Sequence, residues 1–211
     1  MSLERGTNAM LVRRREILVQ RAEPVGWKVG INVTAAQEKL GIDAPLAGFL
    51  TTDGLLEDGA EVSLSDGPVM AESEVAVELG DDARSIVALL PALEVVDPPD
   101  LDQDVETILA GNIFHRAVAF GPRVDAREPG AARILVNGEL EHEVAPAETV
   151  AHLDDMVELV RRRLLDADQD LSPGDRIITG ALAPLHPAQP GDRVRLELAN
   201  LGGVELYFSQ A

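Results

Sequence analysis

The chain has 211 residues, no cysteine, and a net charge of −19 from 37 acidic against 18 basic side chains. That length holds one well-cored domain, or one domain with a small appendage, and 45% hydrophobic residues is a globular composition. A field of this sign repels phosphate, which disfavours nucleic acid and anionic membrane as partners and keeps the chain soluble; the missing thiols exclude disulfides, thiolate zinc sites and a Cys nucleophile. Met1 to Met10 lacks the apolar run of a signal peptide, and no stretch approaches the ~18 continuous apolar residues of a membrane span. The expectation is a cytoplasmic protein.

Ala9 to Ala22 sets Met10, Leu11, Ile17 and Leu18 among arginines and predicts an amphipathic helix ended by Pro24. Gly26 to Ile31 predicts a short strand interrupted by Lys28, and Thr34 to Leu40 a helix stopped by Gly41. From Ala44 to Ser65 short apolar runs alternate with the turn signals Asp53-Gly54 and Asp58-Gly59. Glu72 to Leu79 alternates strictly, with Glu72, Glu74, Ala76 and Glu78 on one face, and is a strand by period. Arg84 to Leu90 is predicted helical, and Leu93 to Val96 a second short strand. Pro98 and Pro99 open an acidic connection, Asp104 to Ala110 reads as one or two helical turns, and Arg116 to Phe120 and Arg133 to Val136 as strands.

Thr149 to Ala167 predicts the clearest helix, with Val150, Leu153, Met156, Val157, Val160 and Leu164 in one stripe. Ser172-Pro173-Gly174-Asp175 and Gln189-Pro190-Gly191-Asp192 fit type II turns. Strands follow at Arg176 to Thr179, Arg193 to Leu198 and Val204 to Phe208. Helices do not alternate regularly with strands, so the fold class is α+β and β-rich.

Two local patterns carry chemistry. Glu72-Ser73-Glu74 on a strand puts two carboxylates on one face, where they repel unless a proton or cation lies between them. Such a pair is either the wet face of a half-exposed sheet or part of a hard-oxygen site for Mg²⁺ or Mn²⁺. Lys28, between Trp27 and Val29, either packs its stem while its ammonium reaches water, or is buried and suited to proton transfer. The histidines at 115, 142, 152 and 186 are scattered and read as surface or helix-end residues. Dinucleotide, P-loop and nucleophile-elbow motifs are absent.

Several stretches, taken in order, resemble one enzyme group. They are Gly26-Trp27-Lys28-Val29-Gly30, Gln37 to Pro45 leading to Gly48-Phe49-Leu50, the Glu-Ser-Glu strand, Leu90-Pro91-Ala92-Leu93-Glu94-Val95-Val96, Gly174 to Leu182 and Gly191-Asp192-Arg193. The chain from Gly26 to Ala211 is similar to the 2-keto-4-pentenoate hydratase and 4-oxalocrotonate decarboxylase branch of the fumarylacetoacetate hydrolase family. The resemblance implies a mixed β-sandwich or roll with a few flanking helices, as a catalytic domain over residues 26–211 behind a short helical segment, 1–25. It implies Glu72, Glu74 and Glu94 as ligands of Mg²⁺ or Mn²⁺, Lys28 as the proton carrier, and Asn112 and Thr179 at the substrate end. It implies a small 2-oxo-acid substrate, a homo-oligomer, and hydration of a 2-hydroxy-2,4-dienoate to a 4-hydroxy-2-oxo acid. Another lyase or hydrolase on the same scaffold, or a non-catalytic member, stands as the alternative. Against the family pattern, the Glu74-to-Glu94 connection is short, Gly111 replaces an Asp, Phe114 replaces a Ser, and Glu141 to Val150 replaces a Gly-rich loop.

Overall fold

A computed structural model describes residues 2–20, 22–146 and 153–210. Its larger sheet has the order β2 (Leu46–Thr51), β1 (Pro24–Gly30), β10 (Arg176–Ala181), β5 (Met70–Leu79), β6 (Ile86–Val96), β7 (His115–Phe120), β3 (Leu55–Leu56). A short β11 (His186–Pro187) adds to β5. The second sheet runs β4 (Glu61–Ser63), β13 (Gly202–Ser209), β12 (Arg193–Leu198), β8 (Ala132–Val136), β9 (Glu139–Val144). The β1–β10, β3–β7 and β4–β13 pairs are parallel and the others antiparallel. The main core lies between the sheets, with Val75, Val77, Leu89 and Leu93 of the first and Val194, Leu196, Val204 and Leu206 of the second in one buried cluster.

The long β5–β6 hairpin is the backbone of the site. Its turn is tied by Gly80, whose N–H donates to the Ser85 carbonyl at 2.8 Å, and by Asp82, which accepts from the Arg84 and Ser85 amides. The short connection between Glu74 and Glu94 is therefore one tight hairpin. This corrects the helix expected over Arg84 to Leu90, because that segment and Leu93 to Val96 form a single strand, Ile86–Val96. An all-apolar run buried on both faces has no period that separates strand from helix, and Pro91 divides the reading in two. Pro91 is tolerated because β7 leaves the ladder there, the Gly121 N–H meeting the Pro91 carbonyl at 2.8 Å.

Four α-helices among the described residues flank the sheets. α1 (Ser2–Gln20), longer than expected, buries Met10 and Leu11 and stands against α3 (Val105–Ala110), where Arg5 pairs with Glu106 and Gly6 leaves no room for a Cβ beside Leu109. α2 (Thr34–Leu40) ends as anticipated on left-handed Gly41 (φ 67°). α4 (Leu153–Leu165) buries Leu153, Val157, Val160 and Leu164, the inner stripe of the expected helix; its predicted start at 149–152 lies outside the described residues. Both Pro-Gly turns form, with Gly174 at φ 79° and Gly191 at φ 92° closed by 3.1 Å and 3.0 Å backbone bonds. Strands β2 and β9 fall in segments that carried no strand signal. No helix among the described residues is long and apolar enough to cross a membrane.

Candidate metal centre and active site

Strand register assembles the acidic cluster. Glu72 and Glu94 face one another directly across β5 and β6, and Glu74, opposite Ala92, lies two residues further along the same face. One carboxylate oxygen from each lies within 4.8 Å of the others. Glu74 and Glu94 are wholly buried and Glu72 is half-buried, so this face of β5 is the lining of a cleft rather than a wet surface.

Lys28 reaches this cluster from β1, with β10 and β5 between it and β6. Three strand spacings amount to about 14 Å on a flat sheet, and side chains stand roughly perpendicular to a sheet, so only strong curl lets the two ends meet. They do meet: the Lys28 Nζ donates to Glu94 Oε1 and, at 3.2 Å, to the Ile113 carbonyl. At 2% exposure the lysine is fully buried, which settles the snorkelling alternative against solvent. Gly48 makes room, since a Cβ there would fall 2.9 Å from Lys28 Cγ.

His115 requires a correction. Instead of a surface or helix-end position, it sits at the start of β7 with its side chain 7% exposed, its Nδ1 2.6 Å from Glu94 Oε1. The sequence carried no signal for it, because its partner lies on a neighbouring strand. His186 is half-buried, between Glu141 at 3.2 Å and Asp192 at 3.0 Å; His152 lies outside the described residues.

A bulge completes the cluster. The β10–β5 register shifts between Ile178 and Ala181, and Gly180, at φ 101°, turns its N–H onto Glu74 Oε2 at 2.5 Å while the Ala181 amide bonds to Glu72. Only glycine fits, because a Cβ would lie 2.5 Å from Asn32 Nδ2.

The electrostatics are lopsided. Burial, then repulsion from Glu94, pushes the Glu72 carboxyl up to about 7, and burial with both neighbouring carboxylates raises Glu74 well above the usual range. Burial acts the same way on Glu94 but is outweighed by Lys28 and His115, which hold it below its ordinary value. One ammonium does not balance three close carboxylates.

Two buried oxygens, Glu74 Oε1 and Glu94 Oε2, have no hydrogen-bond partner among the described residues. An all-oxygen donor set with unpaired buried lone pairs suits a hard divalent cation. An octahedral Mg²⁺ with bonds of about 2.1 Å spreads its ligand atoms up to about 4.2 Å apart. Three carboxylate oxygens within 4.8 Å of one another need only carboxylate rotation to match that spread, so the residues fit such an ion.

Asn112 and Thr179 stand at the edge of this arrangement. Asn112 is buried, its amide clamping β2 by accepting from the Phe49 N–H at 2.8 Å and donating to the Phe49 carbonyl at 3.0 Å. The Thr179 hydroxyl donates to the Val75 carbonyl at 2.9 Å. Both side chains are spent on backbone.

Asn112, Ile113 and Phe114 all have left-handed backbones, at φ 63°, 53° and 62°, and Ile31 has φ 58°. For β-branched residues this is unusual and costs about 1–3 kcal/mol each. The run aims the Ile113 carbonyl at Lys28 and turns Ile113 and Phe114 into a cavity of about 150 Å³ that Lys28 and Glu72 also line.

These features define a curled β-sheet domain with a carboxylate centre of the kind that binds divalent metal. Residues 27–207 match the fumarylacetoacetate (FAA) hydrolase C-terminal family, and the chain belongs to it. Among its relatives is a protein named TodF product hydratase from Pseudomonas putida, 28% identical over 95% of this chain and 82% of that protein. A 4-oxalocrotonate decarboxylase of Pseudomonas putida is 26% identical over 87% of this chain and 77% of its own. The fold matches 4-oxalocrotonate decarboxylase from Pseudomonas putida G7, solved with magnesium and adipate, with a TM-score of 0.83 at 24% identity over 96% of this chain and 84% of that one.

Proposed function

We propose that the chain is a divalent-metal-dependent lyase that hydrates a 2-hydroxy-2,4-dienoate, such as 2-hydroxypenta-2,4-dienoate, to the 4-hydroxy-2-oxo acid. The observation that carries the reading is the cluster of Glu72, Glu74 and Glu94 at the end of a cavity, with two unpaired buried oxygens and Lys28 against Glu94. Relatives named as hydratases and decarboxylases on this scaffold support it.

Glu72, Glu74 and Glu94 would hold Mg²⁺ or Mn²⁺, which when bound supplies the positive charge that a substrate carboxylate and 2-oxygen need in a protein of charge −19. Lys28 moves the proton. Of its three N–H groups, Glu94 and the Ile113 carbonyl take two, leaving one for the cavity it lines. Hydration then balances as a proton gained at C5 of the dienol, with water adding its hydroxyl at C4 and a proton at C3; the 2-hydroxyl proton returns to Lys28. His115 and the Gly180 N–H keep Glu94 and Glu74 oriented. Asn112 contributes through its neighbours, fixing the turn that carries Ile113 and Phe114, and Thr179 by holding β10 against β5. Decarboxylation of an oxalocrotonate-type substrate is the second reading, favoured by the relatives that bear that name.

The test is a thermal melt with Mg²⁺ or Mn²⁺, alone and with oxalate, which mimics a 2-oxo-acid enolate. Stabilisation by oxalate only when metal is present is the expected result. No shift with either would overturn the reading. Turnover of the dienoate, lost in Glu72→Gln, then separates hydration from release of carbon dioxide.

A further inference from the structure

We propose that the substrate's far end is an apolar tail without a second carboxylate, and that Phe114 is the residue that selects for it. The inference rests on the proposed function, because it takes the reacting head to lie at the acidic cluster. Away from Lys28, Glu72 and Asn32, whose amide donates to the Ala181 carbonyl at 3.4 Å, the cavity walls are apolar: Val33, Val96, Leu101, Phe114 and Leu185 contribute, and among the described residues no arginine or histidine lines it. Lys28, the one cation in the lining among the described residues, is paired with Glu94 and keeps its remaining N–H at the reacting head. A carboxylate arriving at this wall would give up its hydration and meet no unpaired cation among the described lining residues.

The charge beyond the wall acts in the same direction. Leu101 belongs to the connection Asp97–Asp104, whose Asp100 and Asp102 are exposed carboxylates flanking it in sequence. Asp102 pairs with Lys39 and Asp97 with Arg116, so nearby cations are taken up by this acidic rim.

Volume sets the size of the tail. A cavity of about 150 Å³, which Lys28 and Glu72 also line, is about the size that takes benzene, so beside the head it leaves room for a short alkyl chain. The wall is also pre-set. The Phe114 carbonyl accepts from the Asp97 N–H at 2.8 Å, the Ile113 N–H donates to the Ile108 carbonyl at 2.9 Å, and Asn112 clamps the turn to β2. Phe114 therefore meets a tail without first being ordered, which favours apolar contact at low entropic cost.

The matched probes are 2-oxohexanoate and 2-oxohexanedioate, which share the head and the chain length and differ in the terminal carboxylate. Their affinities for the Mg²⁺-loaded protein are measured by calorimetry, beside oxalate. The monocarboxylate is expected to bind at least about tenfold tighter. Phe114→Arg, and separately Leu101→Arg should the first fail to fold, is expected to close that gap by strengthening the dicarboxylate. Equal affinities, or a ratio that neither arginine moves, would overturn this inference while leaving the metal site intact. Binding of oxalate but of neither longer acid would also overturn it, because the cavity would then hold no tail. If oxalate fails as well, the reading of the head site falls and this one with it.

Discussion

Replacing Glu72 by Gln should stabilise the metal-free protein at neutral and alkaline pH while abolishing its response to divalent metal. Burial and Glu94 set the Glu72 carboxyl at about 7 in the folded protein against an ordinary 4.5. Between those values the folded chain keeps a proton that the unfolded chain releases. Stability therefore falls as pH rises through this window, and the full penalty is present above about 7. The gap between about 7 and 4.5, at about 1.4 kcal/mol per pH unit, comes to about 3 kcal/mol. Gln carries no such penalty. Denaturant unfolding in EDTA should give nearly equal stabilities for the two proteins near pH 4.5, a difference below about 1 kcal/mol at pH 5, and about 3 kcal/mol in favour of the variant at pH 8. The comparison cancels the pH response of acidic groups outside the cluster, which both proteins share; relief of Glu74, whose carboxyl Glu72 helps to raise, acts in the same direction. Adding Mg²⁺ should reverse the order at pH 8, because the ion neutralises the ionised carboxylates in the native protein only. Parallel pH profiles, or an undiminished Mg²⁺ shift in the variant, would refute the assignment of Glu72 to a strained metal cluster.

Lys28→Met removes one partner of a buried ion pair, leaving Glu94 with His115 alone, and should cost about 3–5 kcal/mol in metal-free denaturant unfolding as well as turnover. A loss below about 1 kcal/mol would show that Glu94 does not depend on that ammonium. Asn112→Ala strands the Phe49 N–H and carbonyl in the interior and should lower stability by about 2–4 kcal/mol, with oxalate affinity in Mg²⁺ little changed. An affinity loss without destabilisation would instead place Asn112 on the ligand.

The elements with a strong local signature were readable. The alternation of Glu72 to Leu79, the stop at Gly41, the two Pro-Gly turns and the inner stripe of α4 each follow from a short-range rule, and the structure carries each. Arg84 to Leu90 failed because a strand buried on both faces has no polar face to set a period. His115 failed for another reason: nothing near it in the chain announces a carboxylate that lies 21 residues away across a strand pair. Asn112 and Thr179 could be placed near the site, but not what their side chains would bond.

The sequence by itself determined which residues could share a face, where the chain must turn, and that cysteine chemistry is impossible here. It left open whether the Glu72–Glu74 face is wet and whether Lys28 reaches water, since both depend on what the sheet curls around. Tertiary structure decided these by bringing β1 to β6 across two intervening strands, so that Lys28 meets Glu94 in a dry interior. Burial is a property of that long-range closure. It is burial that turns three ordinary glutamates into a cluster with unpaired oxygens and raised proton affinity at Glu72 and Glu74.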